Sequence, residues 1–230
     1  MRLDKALADL NLGSRKEVKL LIRKGKVCVN GLIIKDDDHH IDIDHDVITL
    51  DDERLAFNQV QYFMLYKPIG SICENRSKQY PSVLEYIKEP LHAKTQTVGR
   101  LDVDTEGVLL IMSDGTLAHH LLAPKSHCSK IYHLSLEKSF DLNYLVELQT
   151  GIVLSDGLCQ AAIITLIDET HMLMEISEGR THQVKRMMHA CDNEVIALKR
   201  IQFGPLTLGD LKPGEYRALS LTEIEALKSL

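Results

Sequence analysis

Between residues 62 and 203 the strand-like apolar runs are joined irregularly, and this constrains the fold more than any other feature of the chain. A strand over 62–66 stops at Pro68 and Gly70, and a short helix follows over 82–87. Next come a strand over 108–112, a turn at Asp114-Gly115 and a helix over 117–122 that Pro124 closes. Residues 130–136 alternate as a strand, 142–148 read as helix, 172–176 as strand and 184–191 as helix, with a strand over 195–203 and a helix over 221–230 at the end. Helices and strands do not alternate in strict βαβ order. The expected class is therefore α+β: a mixed, mainly antiparallel sheet with flanking helices. No G-x-G-x-x-G follows a strand and no G-x-x-x-x-G-K-[ST] occurs, so a dinucleotide, S-adenosylmethionine or ATP has no evident seat.

The first 58 residues follow a different pattern. Leu3, Leu7 and Leu10 recur at helical spacing up to Gly13. Ser14 stands three residues before Glu17, a capping box that opens a second helix through Val18, Leu20, Leu21 and Ile22. Val27 and Val29 then alternate with Lys26 and Cys28, Asn30-Gly31 tolerates the positive φ of a tight turn, and Leu32-Ile33-Ile34 returns. Ile41, Ile43, Val47-Ile48 and Leu50 supply a further strand or two, and residues 51–54 read as a solvated connector. The division falls near residue 58: a small helix-helix-hairpin domain over 1–58 and a larger sheet domain over 59–230.

Charge is segregated along the chain. The net charge of -6 suits a nucleic-acid binder poorly, yet residues 1–35 hold nine Lys or Arg against three Asp or Glu, while 36–58 hold nine acids against one Arg. Screening confines each charge to about 8–10 Å, so a local basic face suffices to attract phosphates. Arg2, Lys5, Arg15, Lys16, Lys19, Arg23, Lys24 and Lys26 sit on or beside the two helices, either as one RNA-facing surface or as an ordinary solvated face. The five cysteines are widely spaced with no C-x-x-C pair, and the eleven histidines form no H-E-x-x-H helix, so reduced thiols and no metal site are expected. No apolar run approaches the ~18 residues of a membrane helix, and the first residues are not a signal peptide. A cytoplasmic protein without a membrane partner is the expectation.

Residues 99–107, Gly-Arg-Leu-Asp-Val-Asp-Thr-Glu-Gly, put carboxylates on a glycine-bounded turn between two apolar runs, a solvated loop or a site in equal measure. This segment resembles the GRLD-x-x-T-x-G signature of the RNA pseudouridine synthases. Two further segments match in order: Lys130-Ile131-Tyr132 the K-x-Y element, and residues 178–187 the EGR-x-HQV-[KR]-RM element. The N-terminal order of helix, helix and hairpin, with R-L-D-K, S-R and V-x-V-N-G, is similar to the alpha-L RNA-binding module of ribosomal protein S-four type. The resemblance covers nearly the whole chain.

It implies a catalytic sheet domain with a central cleft and a cofactor-free isomerisation of uridine to pseudouridine. Asp102 matches the essential aspartate, acting as nucleophile or as the base that removes a ribose proton. Asp104, two residues on, faces the other way if the loop is extended. Tyr132 matches the tyrosine that packs on the uracil. Lys185 matches the cation that pairs with the aspartate and keeps it ionised in a partly dry cleft. Arg100, Arg180, His182, Arg186 and Arg200 are placed to reach phosphates or to order a helix start, and Arg2, Lys5, Arg15, Lys16, Lys19 and Lys26 to bind RNA. The implied partner is small-subunit (16S) ribosomal RNA, modified at uridine 516, as naked RNA or a partly assembled particle, with the protein a monomer. Siblings acting on large-subunit RNA share all three segments. A different class, a non-catalytic rRNA-binding or ribosome-assembly protein, applies if Asp102, Tyr132 and Lys185 do not converge. Hydrolysis by paired acids ranks below both, because neighbours on one short loop rarely straddle a bond.

Overall fold

The computed structural model describes residues 1–10, 12–43, 45–55, 60–74 and 79–230. Contacts divide the chain into two compact units: Met1–Gln61 with Lys88–Gln96, and Tyr62–Ile87 with Thr97–Leu230. A single cut near residue 58 falls outside the described residues, and it does not capture the return of 88–96 to the first unit. Among the described residues, no helix is long and apolar enough to cross a membrane.

The first unit opens with α1 (Leu3–Asp9) and α2 (Arg15–Arg23). Ser14 and Glu17 form the reciprocal capping box that starts α2. Four antiparallel strands follow: β1 (Val27–Val29), β2 (Leu32–Ile34), β3 (Ile48–Leu50) and β4 (Glu53–Arg54), in the order β2-β1-β3-β4. Asn30 and Gly31 turn the β1–β2 hairpin with φ of +51° and +80°. Residues 51–54, expected as a connector, instead form a second hairpin. Asp51 and Asp52 take φ of +47° and +69°, which aspartate tolerates better than most residues, and the chain returns along β3. Leu3, Leu7, Val18, Ile22, Val27 and Ile48 fill the core, each 0% exposed.

The second unit is built on one large sheet, of β5 (Tyr62–Lys67), β6 (Gln96–Thr97), where the chain passes from the first unit to the second, β7 (Thr105–Met112), β8 (Lys130–Leu136), β11 (Ile163–Leu166), β12 (His171–Ile176), β13 (Val195–Phe203), β14 (Leu206–Thr207) and β15 (Tyr216–Ala218), while β9 (Val153–Leu154) and β10 (Gly157–Leu158) pair apart from it as a two-stranded hairpin. The helices are α3 (Gly115–Leu122), α4 (Leu145–Thr150), α5 (Gln183–Ala190) and α6 (Leu221–Lys228). The main path runs β11-β12-β8-β13-β7-β5-β15, and along it only β13 and β7 are parallel. The class is α+β with a mainly antiparallel sheet, as the irregular connections imply. One apolar cluster gathers Leu134, Met172, Met174, Met187 and Met188, and another gathers Met64, Leu110, Leu121, Phe203 and Leu227.

The parallel pair at the centre fixes what surrounds it. Partners in register form a row across five strands: Met174, Tyr132, Arg200, Gly107 and Lys67. Gly107 has φ of +119°, and a Cβ there would lie 2.1 Å from the carbonyl oxygen of Arg200, so only glycine lets β7 and β13 approach.

Candidate active site

β7 starts at Thr105, inside the 99–107 segment, so Asp102 lies in the chain that leads into the sheet centre. Four contacts from residues 67–73 pin this chain. Leu101 donates its N–H to Cys73 Sγ at 3.3 Å, and that thiol donates to the Leu101 carbonyl at 3.6 Å. Gly70 N–H donates to the Val103 carbonyl at 2.7 Å, and Lys67 Nζ donates to the Thr105 carbonyl at 2.8 Å. Thr105 N–H closes a turn onto the Asp102 carbonyl at 3.1 Å. Burial drives the Lys67 ammonium below its usual range, with Cys73, Asp102 and Asp104 opposing, and burial likewise pushes the Cys73 thiol up.

That turn overturns one expectation. Asp104 does not face away from Asp102, because residues 102–105 form a closed turn and not an extended loop, and both carboxylates meet Lys185. Its Nζ stands 3.3 Å from Asp102 Oδ2 and 2.5 Å from Asp104 Oδ1. For Asp104, burial raises the carboxyl, but the hydrogen bond and charge of Lys185 outweigh it and leave the group below the usual carboxylate range. His182 Nε2 approaches the other oxygen of Asp102, Oδ1, at 3.4 Å. Asp102 is thus held from both sides while keeping partial exposure.

α5 delivers both of those partners. Val184, Met187 and Met188 bury one face of the helix, which leaves Lys185 on another. His182 caps the helix with φ of +50°, a left-handed backbone that is costly for a side-chain-bearing residue. Gln183 is buried: its Oε1 accepts from Arg180 N–H at 2.9 Å and its amide donates to Glu178 Oε1 at 2.6 Å. The Glu-Gly-Arg-x-His-Gln run is therefore a rigid entry to the helix.

Asp102, Tyr132 and Lys185 line one cleft of about 610 Å³, together with Arg100, Arg180, His182 and Arg200. The three proposed chemical groups converge, the condition that separates an enzyme from a passive RNA binder. Tyr132 is 9% exposed, so its ring is a wall of the cleft. Arg200, its in-register neighbour on β13, is also buried, and its Nε donates to the Val108 carbonyl at 2.7 Å.

Other sequence-predicted cations have intramolecular partners. Arg180 binds Glu178, Asp156 and the carbonyls of Gly157 and Leu158. Arg186, outside the cleft, binds Asp156 and Ser155, and with Arg180 it clamps the β9–β10 hairpin to the start of α5. Asp156 is held down to about 2, Arg186 being the main cause. Arg100 is exposed and 4.0 Å from Glu74. In the first unit the acidic run folds back on the helices. Arg2 pairs with Asp4 and Asp38, Lys19 with Asp4 and Asp37, Arg23 with Asp37, and Lys26 with Asp51. Lys5, Arg15, Lys16 and Lys24 are exposed and form no ion pair with the described residues. Sequence reasoning missed Lys67 and Cys73; the Lys-Pro-x-Gly after β5 was visible, but only as the end of a strand.

The chain belongs to the RNA pseudouridylate synthase family, whose profile matches residues 61–190, and an S4 domain matches residues 1–48. It is an isomerase acting on RNA. It is 39% identical to ribosomal small subunit pseudouridine synthase A of Haemophilus influenzae, over 99% of each chain. It is 38% identical to the uncharacterized RNA pseudouridine synthase YtzG of Bacillus subtilis, over 99% of this chain and 98% of that one. A crystallised pseudouridylate synthase superposes with a TM-score of 0.70 at 38% identity, covering 99% of both chains.

Proposed function

We propose that this cytoplasmic, monomeric enzyme converts uridine 516 of small-subunit ribosomal RNA into pseudouridine without a cofactor, with Asp102 as the catalytic carboxylate. The observation that carries the assignment is the meeting of Asp102, Lys185, His182 and Tyr132 in one cleft. Isomerisation needs three things: a carboxylate facing the ribose, a platform for the loosened base, and a wall that keeps water from the cleaved intermediate. Asp102 supplies the first, acting at the ribose as nucleophile or as base. Lys185 and His182 hold its two oxygens and fix its direction. Tyr132 supplies the platform for a uridine turned out of its helix. Asp104 positions Lys185 and does not touch the substrate. The S4 domain adds sequence-independent hold on the RNA backbone.

The small-subunit target draws support from the printed name of the Haemophilus relative and its full-length similarity. Mapping pseudouridine across both ribosomal RNAs in a strain lacking the protein tests it. The expected result is loss at position 516 of the small-subunit RNA alone, restored by the wild-type gene. Loss from large-subunit RNA, or no loss anywhere, contradicts the assignment.

A further inference from the structure

Three buried cations, Lys67, Lys130 and Arg200, occupy the middle of the sheet, and none forms an ion pair with the described residues. Lys67 is satisfied by two carbonyls. The other two are not. Arg200 Nη2 is fully buried with no hydrogen-bond partner. Lys130, 5% exposed and lining the cleft, has no hydrogen bond to its ammonium among the described residues. Its ammonium lies over the Phe203 ring, 5.5 Å away, which also carries Arg200 at 5.2 Å. The titratable neighbours of Lys130 are the Cys128 thiol and Arg200, and burial, the larger influence, lowers its ammonium. A mostly buried ammonium that opens on the cleft and finds no acceptor in the fold is costly to keep, and such a cost persists where a ligand supplies the acceptor.

Lys130 and Tyr132 lie two residues apart on β8, where burial alternates residue by residue, so both point to the same face about 7 Å apart. We infer that Lys130, backed by Arg200, is a seat for the uracil carbonyls and stabilises the base while it is detached from the ribose. The inference rests on the reading above, in which Asp102 acts at the sugar and the base lies against Tyr132. Cleavage of the N1–C1′ bond sends its electron pair to the uracil, which becomes an anion sharing charge over N1, O2 and O4. The ring's electrons at C5 then form the C1′–C5 bond, displacing Asp102 from C1′ where the carboxylate had taken the base's place, and the base becomes neutral. The C5 proton leaves to water and N1 takes one up, which gives pseudouridine with no net change in charge. A cation beside the carbonyls is strongest while that anion exists, which is where catalysis gains. A phosphate is the poorer occupant: Arg100 and His182 are exposed and available to an RNA backbone, whereas Lys130 is buried.

Lys130→Met removes the charge and keeps the volume. With saturating RNA, single-turnover isomerisation is expected to fall about 100-fold while RNA affinity stays within about 3-fold. Its Tm is expected to equal or exceed the wild-type value, since an uncompensated buried charge has gone. RNA carrying 5-fluorouridine, whose base leaves as a more stable anion, needs the cation less. Followed by loss of 5-fluorouridine from nuclease digests, the penalty is expected to shrink below about 10-fold. A wild-type rate, a lower Tm, or equal penalties on both RNAs would overturn the seat. A wild-type protein that converts no uridine would instead remove the reading beneath it.

Discussion

At the scale of single residues, the site depends on a few positions that leave no room for alternatives. Gly107 is the sharpest. A methyl group there meets backbone, not a side chain that can swing away, and its φ of +119° is strained for any other residue. Gly107→Ala should cost more than about 3 kcal/mol in urea unfolding, and a variant as stable as the wild type would contradict the close β7–β13 packing. Asp102 itself could be picked out of the sequence because the R-L-D triplet sits in a distinctive segment. Its geometry could not: the 102–105 turn depends on hydrogen bonds from Lys67, Gly70 and Cys73, about 30 residues earlier, and spacing on one loop carries no trace of them. For that reason the extended-loop expectation set Asp104 on the wrong side.

At the scale of elements, the long strands and helices follow from pattern, and the short ones do not. β8 alternates over its full seven residues, and α5 buries a helical stripe, so both were visible as periodicities. β9, β10 and β14 are two residues each, too short for a period to show, and which strands become neighbours is a matter of long-range packing. Helix ends carry their own signals. α6 starts at a capping box of Ser220 and Glu223, and Glu223 also takes two hydrogen bonds from Arg217. That hydrogen bonding, against a smaller effect of burial, holds the Glu223 carboxyl at about 2, below its ordinary 4.5. A depressed folded value means the stabilisation is complete above pH 4.5 and is lost as pH falls toward 2. The Tm gap between wild type and Glu223→Gln should therefore be widest near neutrality and close across that window. A gap that widens on acidification would refute the pairing.

At the scale of the whole molecule, an acidic protein binds a polyanion by distributing its charge unevenly. The excess of cations in residues 1–35 is legible in the sequence, but its availability is not, because Asp37, Asp38 and Asp51 neutralise several of them within the fold. Lys5, Arg15, Lys16 and Lys24 are left facing solvent. Replacing these four with Gln should reduce the slope of log affinity against log salt by about 3, whereas replacing Arg2, Lys19 and Lys26 should change it little. Filter binding across a salt series measures both, and the opposite ranking would place the RNA elsewhere.

The central claim, that one carboxylate of the turn does the chemistry and its neighbour positions the lysine, is tested most directly by comparing Asp102→Asn with Asp104→Asn in tritium release from 5-tritiated uridine RNA. Asp102→Asn should abolish turnover, by on the order of 10⁴-fold, with RNA affinity nearly intact, and Asp104→Asn should retain activity within about 10-fold. Full turnover in Asp102→Asn, or loss confined to Asp104→Asn, would contradict the account.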